Sequence, residues 1–62
     1  KEKEIVLADY FFFFLQLDII ELVKKGFTNK EIAASLYISE NTVKYHLKII
    51  YNTLGIESRS SL

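Results

Sequence analysis

Residues Thr28–Gly55, TNKEIAASLYISENTVKYHLKIIYNTLG, hold the signals for two helices and the turn between them. Thr28-Asn29-Lys30-Glu31 is a capping box, in which the threonine hydroxyl accepts from the Glu31 amide and the Glu31 carboxylate accepts from the Thr28 amide. A helix then runs over about 29–36. Ile32, Ala33 and Leu36 form its apolar stripe, and the small side chains of Ala33 and Ala34 let a neighbouring helix come close. Tyr37-Ile38-Ser39 makes the turn, with Ile38 directed into the core and Ser39 capping the next helix, about 40–54. In that helix Val43, Leu47, Ile50 and Leu54 recur at i, i+4, i+7 and i+11, a core stripe. Gly55 supplies the left-handed stop, and Ile56 is a candidate return contact.

Lys44, Tyr45 and Lys48 lie together on the opposite, outward face of the longer helix. A short helix, a tight turn and a second helix with cations on its free face is the layout of a helix-turn-helix. The second helix of such a unit enters the major groove of DNA.

Upstream lies IVLADYFFFFLQLDIIELVKK. From Leu15 onward its period is helical, with Leu15, Ile19, Leu22 and Val23 on one face and Asp18, Glu21 and Lys25 on another. Asp9 can cap a helix over about 10–25, and Gly26 suits its end. Lys1–Glu4 reads as a charged, fraying lead-in. The run Tyr10–Phe14 has no helical period, and five consecutive aromatics cannot all face one small core. It fits a helix extended into a partner interface, a strand-prone segment, or an altered N-terminal end; an oligomer contact is the favoured reading. Downstream, Glu57 or Ser58 starts a fourth helix over about 58–62.

Sixty-two residues make a single domain of limited core. With no cysteine, disulfides and thiolate metal sites are excluded, and the lone His46 lacks a second histidine to share a metal. No metal or cofactor is expected. Acidic residues and Gln16 interrupt the apolar stretch Ile5–Val23, so no membrane span is read. There is no Gly-rich phosphate loop and too little chain for a sizeable pocket, which argues against an enzyme and a small-molecule substrate. The formal net charge is zero, but it is unevenly spread: residues 1–21 carry two cations against five acids, and residues 22–62 carry six against three. The basic excess lies with the two capped helices.

From Ile19 on, three segments in order and without gaps, GFTNKEIAASLYIS, NTVKYHL and LGIESRSSL, resemble the LuxR/GerE-type DNA-binding domain of bacterial transcription regulators. The EIA…L.IS..TVK pattern also occurs in the DNA-reading helix-turn-helix of sigma factors, but the LGIESRSSL ending favours the LuxR type. The resemblance implies an all-α, four-helix bundle at the C-terminus of a longer bacterial regulator, such as a response regulator. It implies a cytoplasmic protein that binds double-stranded DNA sequence-specifically as a homodimer, through helix four, with RNA polymerase as a further candidate partner.

Carried over by residue, the resemblance gives Lys44, Tyr45 and Lys48 the base-reading positions. Lysine donates to guanine O6 and N7, and a tyrosine ring packs on a thymine methyl or reaches a phosphate. Thr28, Asn29, Lys30, Ser39, Asn41 and Thr42 lie near helix starts, where hydroxyls, amides and backbone N–H groups can hold phosphates. His46 takes a position near the DNA backbone, and Arg59 reaches a phosphate or ties the fourth helix to the core.

Each of these has a plainer reading. Lys44 and Lys48 fit a solvated face, Tyr45 a hydrophobic edge, and His46 a buried structural role. Thr28, Asn29 and Ser39 are helix caps first. The chain also departs from the family: Phe12-Phe13 and Leu15-Gln16 stand where Leu-Thr and Arg-Glu pairs are usual. Ile49 replaces a common asparagine, and Thr53 a common lysine or arginine. Each change removes a polar or basic group, and each lost phosphate contact lowers the salt dependence of binding by about 0.9. These losses, with the aromatic run, support an alternative: a protein-interaction or oligomerisation module with weakened DNA binding.

Overall fold

A computed structural model describes the backbone of residues 2–62 and the side chains from Tyr10 on. It has three α-helices, α1 (Glu2–Lys24), α2 (Asn29–Leu36) and α3 (Glu40–Leu54), followed by a 3-10 turn (Arg59–Ser61). There is no strand among the described residues.

Both inner helix starts form through side-chain caps. Thr28 and Glu31 close the reciprocal capping box, at 3.1 Å from the Glu31 N–H to Thr28 Oγ1 and 2.8 Å from the Thr28 N–H to Glu31 Oε1. Ser39 Oγ accepts from the Thr42 N–H at 3.1 Å and shares a 2.8 Å bond with the Thr42 hydroxyl. The stops are left-handed. Gly26 has φ 89°, with the Phe27 N–H donating back to Leu22 O, and Gly55 has φ 69°, with the Ile56 N–H donating to Tyr51 O. Those paired bonds satisfy carbonyls that a helix end leaves free. At the end of α2 the left-handed residue is Tyr37, φ 57°, whose side chain is 95% exposed. A non-glycine residue there costs about 1–2 kcal/mol, but it places Ile38 against the core.

The core lies where the three helices meet. Ile19 from α1, Ile32 from α2, and Val43 and Ile50 from α3 are fully enclosed, with Val23, Ala33 and Leu47 completing the cluster. Burying each large aliphatic side chain contributes about 1.5–3 kcal/mol.

Three expectations are corrected. α1 does not start at an Asp9 cap near Tyr10: its backbone is helical from Glu2, with Asp9 inside it. The segment EKEIVLA is made largely of good helix formers, and this extends the helix upstream of the aromatic run. The Asp9 side chain, and Lys1 of the charged lead-in, lie outside the described residues. The Phe run is accordingly helical and not strand-like. Leu54, in the last turn of α3, leaves the core stripe and is 55% exposed, beside Phe13 and Leu17 of α1. The segment expected as a fourth α-helix is a single 3-10 turn. Ser58 gives it no side-chain cap, and the Ser58 hydroxyl bonds the Ser60 hydroxyl instead.

Candidate nucleic-acid interface

α3 divides cleanly between core and solvent. Val43, Leu47 and Ile50 hold it against α1 and α2, so the spacing of 3.6 residues per turn forces Lys44, Tyr45 and Lys48 outward, and all three are exposed. Tyr45 is 60% exposed, its ring edge-on to His46 at 5.6 Å.

Lys44 and Lys48 share an open groove of about 670 Å³ with Asn29, Asn52, Ser58 and Arg59. The groove thus joins the free face of α3 to the start of α2 and to the 3-10 turn. The joint is Arg59, whose guanidinium donates to Asn29 Oδ1 at 2.7 Å and to the Phe27 carbonyl. These bonds tie the chain end to the corner between α1 and α2. A guanidinium has five donors, so Arg59 keeps capacity for an external acceptor. Asn52 went unnoticed in the sequence. Its place four residues after Lys48 and eight after Lys44 puts it on the same face, and that spacing was the available signal.

The two helix starts are capped differently. At α2 the Glu31 carboxylate accepts from the Thr28 backbone, and these hydrogen bonds from Thr28 hold its pKa below the ordinary carboxylate value. It therefore stays ionised and partly offsets the positive end of α2. Thr28 and Lys30 are exposed beside it, in a shallow depression that Asn29, Glu40 and Arg59 also line. At α3 the cap is the neutral Ser39, with Asn41 exposed and Thr42 half-buried. Glu40 gives the α3 start an acid in its first turn as well.

His46 is separated from this surface. Only 5% of it is exposed, its ring lies 4.9 Å from that of Phe12, and Nδ1 has no hydrogen-bond partner among the described residues. Burial lowers its pKa, so the folded protein favours the neutral ring. Phe12 thus covers His46, which accords with the buried structural reading of this side chain. Ile49 is half-buried and Thr53 exposed on the far side of α3.

Among the described residues no group of three or more metal-binding side chains clusters, and no described helix is long and apolar enough to cross a membrane.

Residues 16–62 match the family described as bacterial regulatory proteins, luxR family (GerE). The chain is 38% identical over 45 residues to the HTH-type transcriptional regulator AlkS of Pseudomonas putida, covering 73% of this chain and 5% of that protein. It is 46% identical over 43 residues to the probable transcriptional regulatory protein SgaR of Hyphomicrobium methylovorum, covering 69% and 20%. It is 45% identical over 42 residues to the transcriptional regulatory protein ComA of Bacillus subtilis, covering 68% and 20%. The chain thus spans from 5% to 20% of the length of these relatives. No solved structure matches it.

Proposed function

We propose, given that this chain belongs to the luxR family of bacterial regulatory proteins, that it reads specific DNA sequences with α3 in the major groove and regulates transcription as part of a longer regulator. The observation that carries this is the exposed triad Lys44, Tyr45 and Lys48, held rigidly by the buried opposite face of α3. In this reading Lys44 and Lys48 donate to base edges and Tyr45 contacts a thymine methyl. Lys30, Asn41, Thr42, Ser39 and the start of α3 set the register on the phosphates, and Arg59 braces the groove while its spare donors face the backbone. Thr28 and Asn29 act mainly through the α2 cap and the Arg59 bond. Two copies on a two-fold related site supply the specificity that one small module lacks. The family setting favours a bacterial cytoplasm, with RNA polymerase as a downstream partner.

The test is fluorescence anisotropy with a labelled promoter pool at low and moderate salt. Binding that weakens with salt, and that Lys44→Ala with Lys48→Ala reduces at least tenfold, is expected. Equal binding by the double variant would overturn the assigned face.

A second reading has its own observation. Tyr10, Phe11, Phe13 and Phe14 are each more than half exposed, an unusual density of aromatic surface. An interaction module with faded DNA affinity would form a stable oligomer and show no DNA shift at low salt.

A further inference from the structure

Arg59 is anchored by neutral acceptors alone. Its guanidinium donates to Asn29 Oδ1 and to the Phe27 carbonyl, and among the described residues it forms no ion pair. Glu57 lines the same groove but does not pair with it. A half-buried cation is thus held in place by groups that leave its charge unneutralised.

The bond to Asn29 also fixes which way round that amide sits. A guanidinium carries donors only, so the Asn29 atom facing it must be the carbonyl oxygen. The free end of the amide is then Nδ2, with two hydrogens to donate. Nδ2 makes no hydrogen bond among the described residues and is not buried. Asn29 and Arg59 both line the groove that holds Lys44 and Lys48 and the depression that holds Lys30, so the pair stands where the two meet. Every polar group left free on this pair is a donor.

We propose that Asn29 and Arg59 seat one DNA backbone phosphate as a unit, Arg59 being also the positioning residue that aims the Asn29 amide. This rests on the DNA reading of α3 and adds to it a fixed point of register. A phosphate oxygen accepts from both the guanidinium and Nδ2, and it supplies the negative charge that Arg59 lacks within the fold. Because the bonds to Asn29 and Phe27 hold the donors in advance, little freedom is lost when the phosphate arrives. The two residues lie 30 apart in the chain, so the end of the chain becomes part of the DNA site through this one contact.

The test is a duplex selected from random DNA, in which a neutral methylphosphonate replaces one phosphate at a time, with affinity read by fluorescence anisotropy. Wild type should lose affinity at several positions. At one of them, where the substitution costs wild type about tenfold, Asn29→Ala and Arg59→Gln should both be indifferent, while keeping wild-type sensitivity elsewhere. The double variant should bind no more weakly than either single one. Asn29→Asp can still accept from Arg59 but offers no donor. It should keep the wild-type thermal midpoint and match Asn29→Ala at that phosphate; should Arg59→Gln unfold, this variant decides alone. The proposal is overturned if Asn29→Ala or Asn29→Asp keeps every wild-type sensitivity, or if the Asn29 and Arg59 variants become indifferent at different phosphates. Either result leaves the DNA reading standing, whereas a wild type that binds no duplex would overturn both.

Discussion

His46 shows how one neighbour sets the state of a side chain. Phe12 covers the imidazole, and burial holds its pKa below the ordinary value of 6.5. The unfolded chain therefore takes up a proton near pH 6.5 that the folded protein resists. Stability is full above that pH and declines as the pH falls below it. His46→Phe keeps a ring for Phe12 and removes the titrating group together with an unpartnered nitrogen. Thermal unfolding should show the wild-type midpoint falling between pH 7 and 5 while the variant stays level. Parallel declines in the two proteins would place the effect elsewhere. Glu31, whose carboxyl is also lowered, acts in the same direction but only at more acidic pH, where its bonds to Thr28 are lost.

For the elements, local signals and long-range ones separate. The start of α3 rests on the Ser39 hydroxyl, and Ser39→Ala should cost about 1 kcal/mol in urea unfolding. A loss below about 0.3 kcal/mol, comparable to a neutral surface change, would show that tertiary packing alone sets that helix start. Thr28–Gly55 was legible because its caps, stops and stripes lie within a few residues of one another, and the hydrogen bonds that they imply form. The aromatic run was not legible. Five adjacent rings give no period, and their helical state depends on good helix formers upstream and the apolar stripe downstream. The burial of His46 was equally hidden, since it follows from a contact between residues 12 and 46 across two helices. Leu54 fitted the stripe of α3 by count, but it lies at the rim beside Phe13 and Leu17 and stays 55% exposed. Lys44, Tyr45 and Lys48 were legible as an outward face because the core stripe of the same helix leaves them no other direction.

The whole molecule is a small core with little reserve. For 62 residues, total stability is on the order of 3–9 kcal/mol. Ile32 is fully enclosed between all three helices, and Ile32→Ala should remove about 2–5 kcal/mol. That is enough to leave a sizeable unfolded fraction at physiological temperature, seen as lost circular dichroism. A loss under 1 kcal/mol would mean that the core collapses around the cavity.

The central claim is that α3 reads bases and does not merely adhere to phosphates. It is tested by the affinity ratio between a site selected from random DNA and a shuffled duplex of equal length, measured at one fixed salt concentration. The expected ratio falls by at least tenfold in Lys44→Ala with Lys48→Ala, since each base contact supplies about 1–3 kcal/mol of discrimination. A double variant that binds both duplexes more weakly but keeps the wild-type ratio would contradict the claim, and would make these lysines phosphate contacts only.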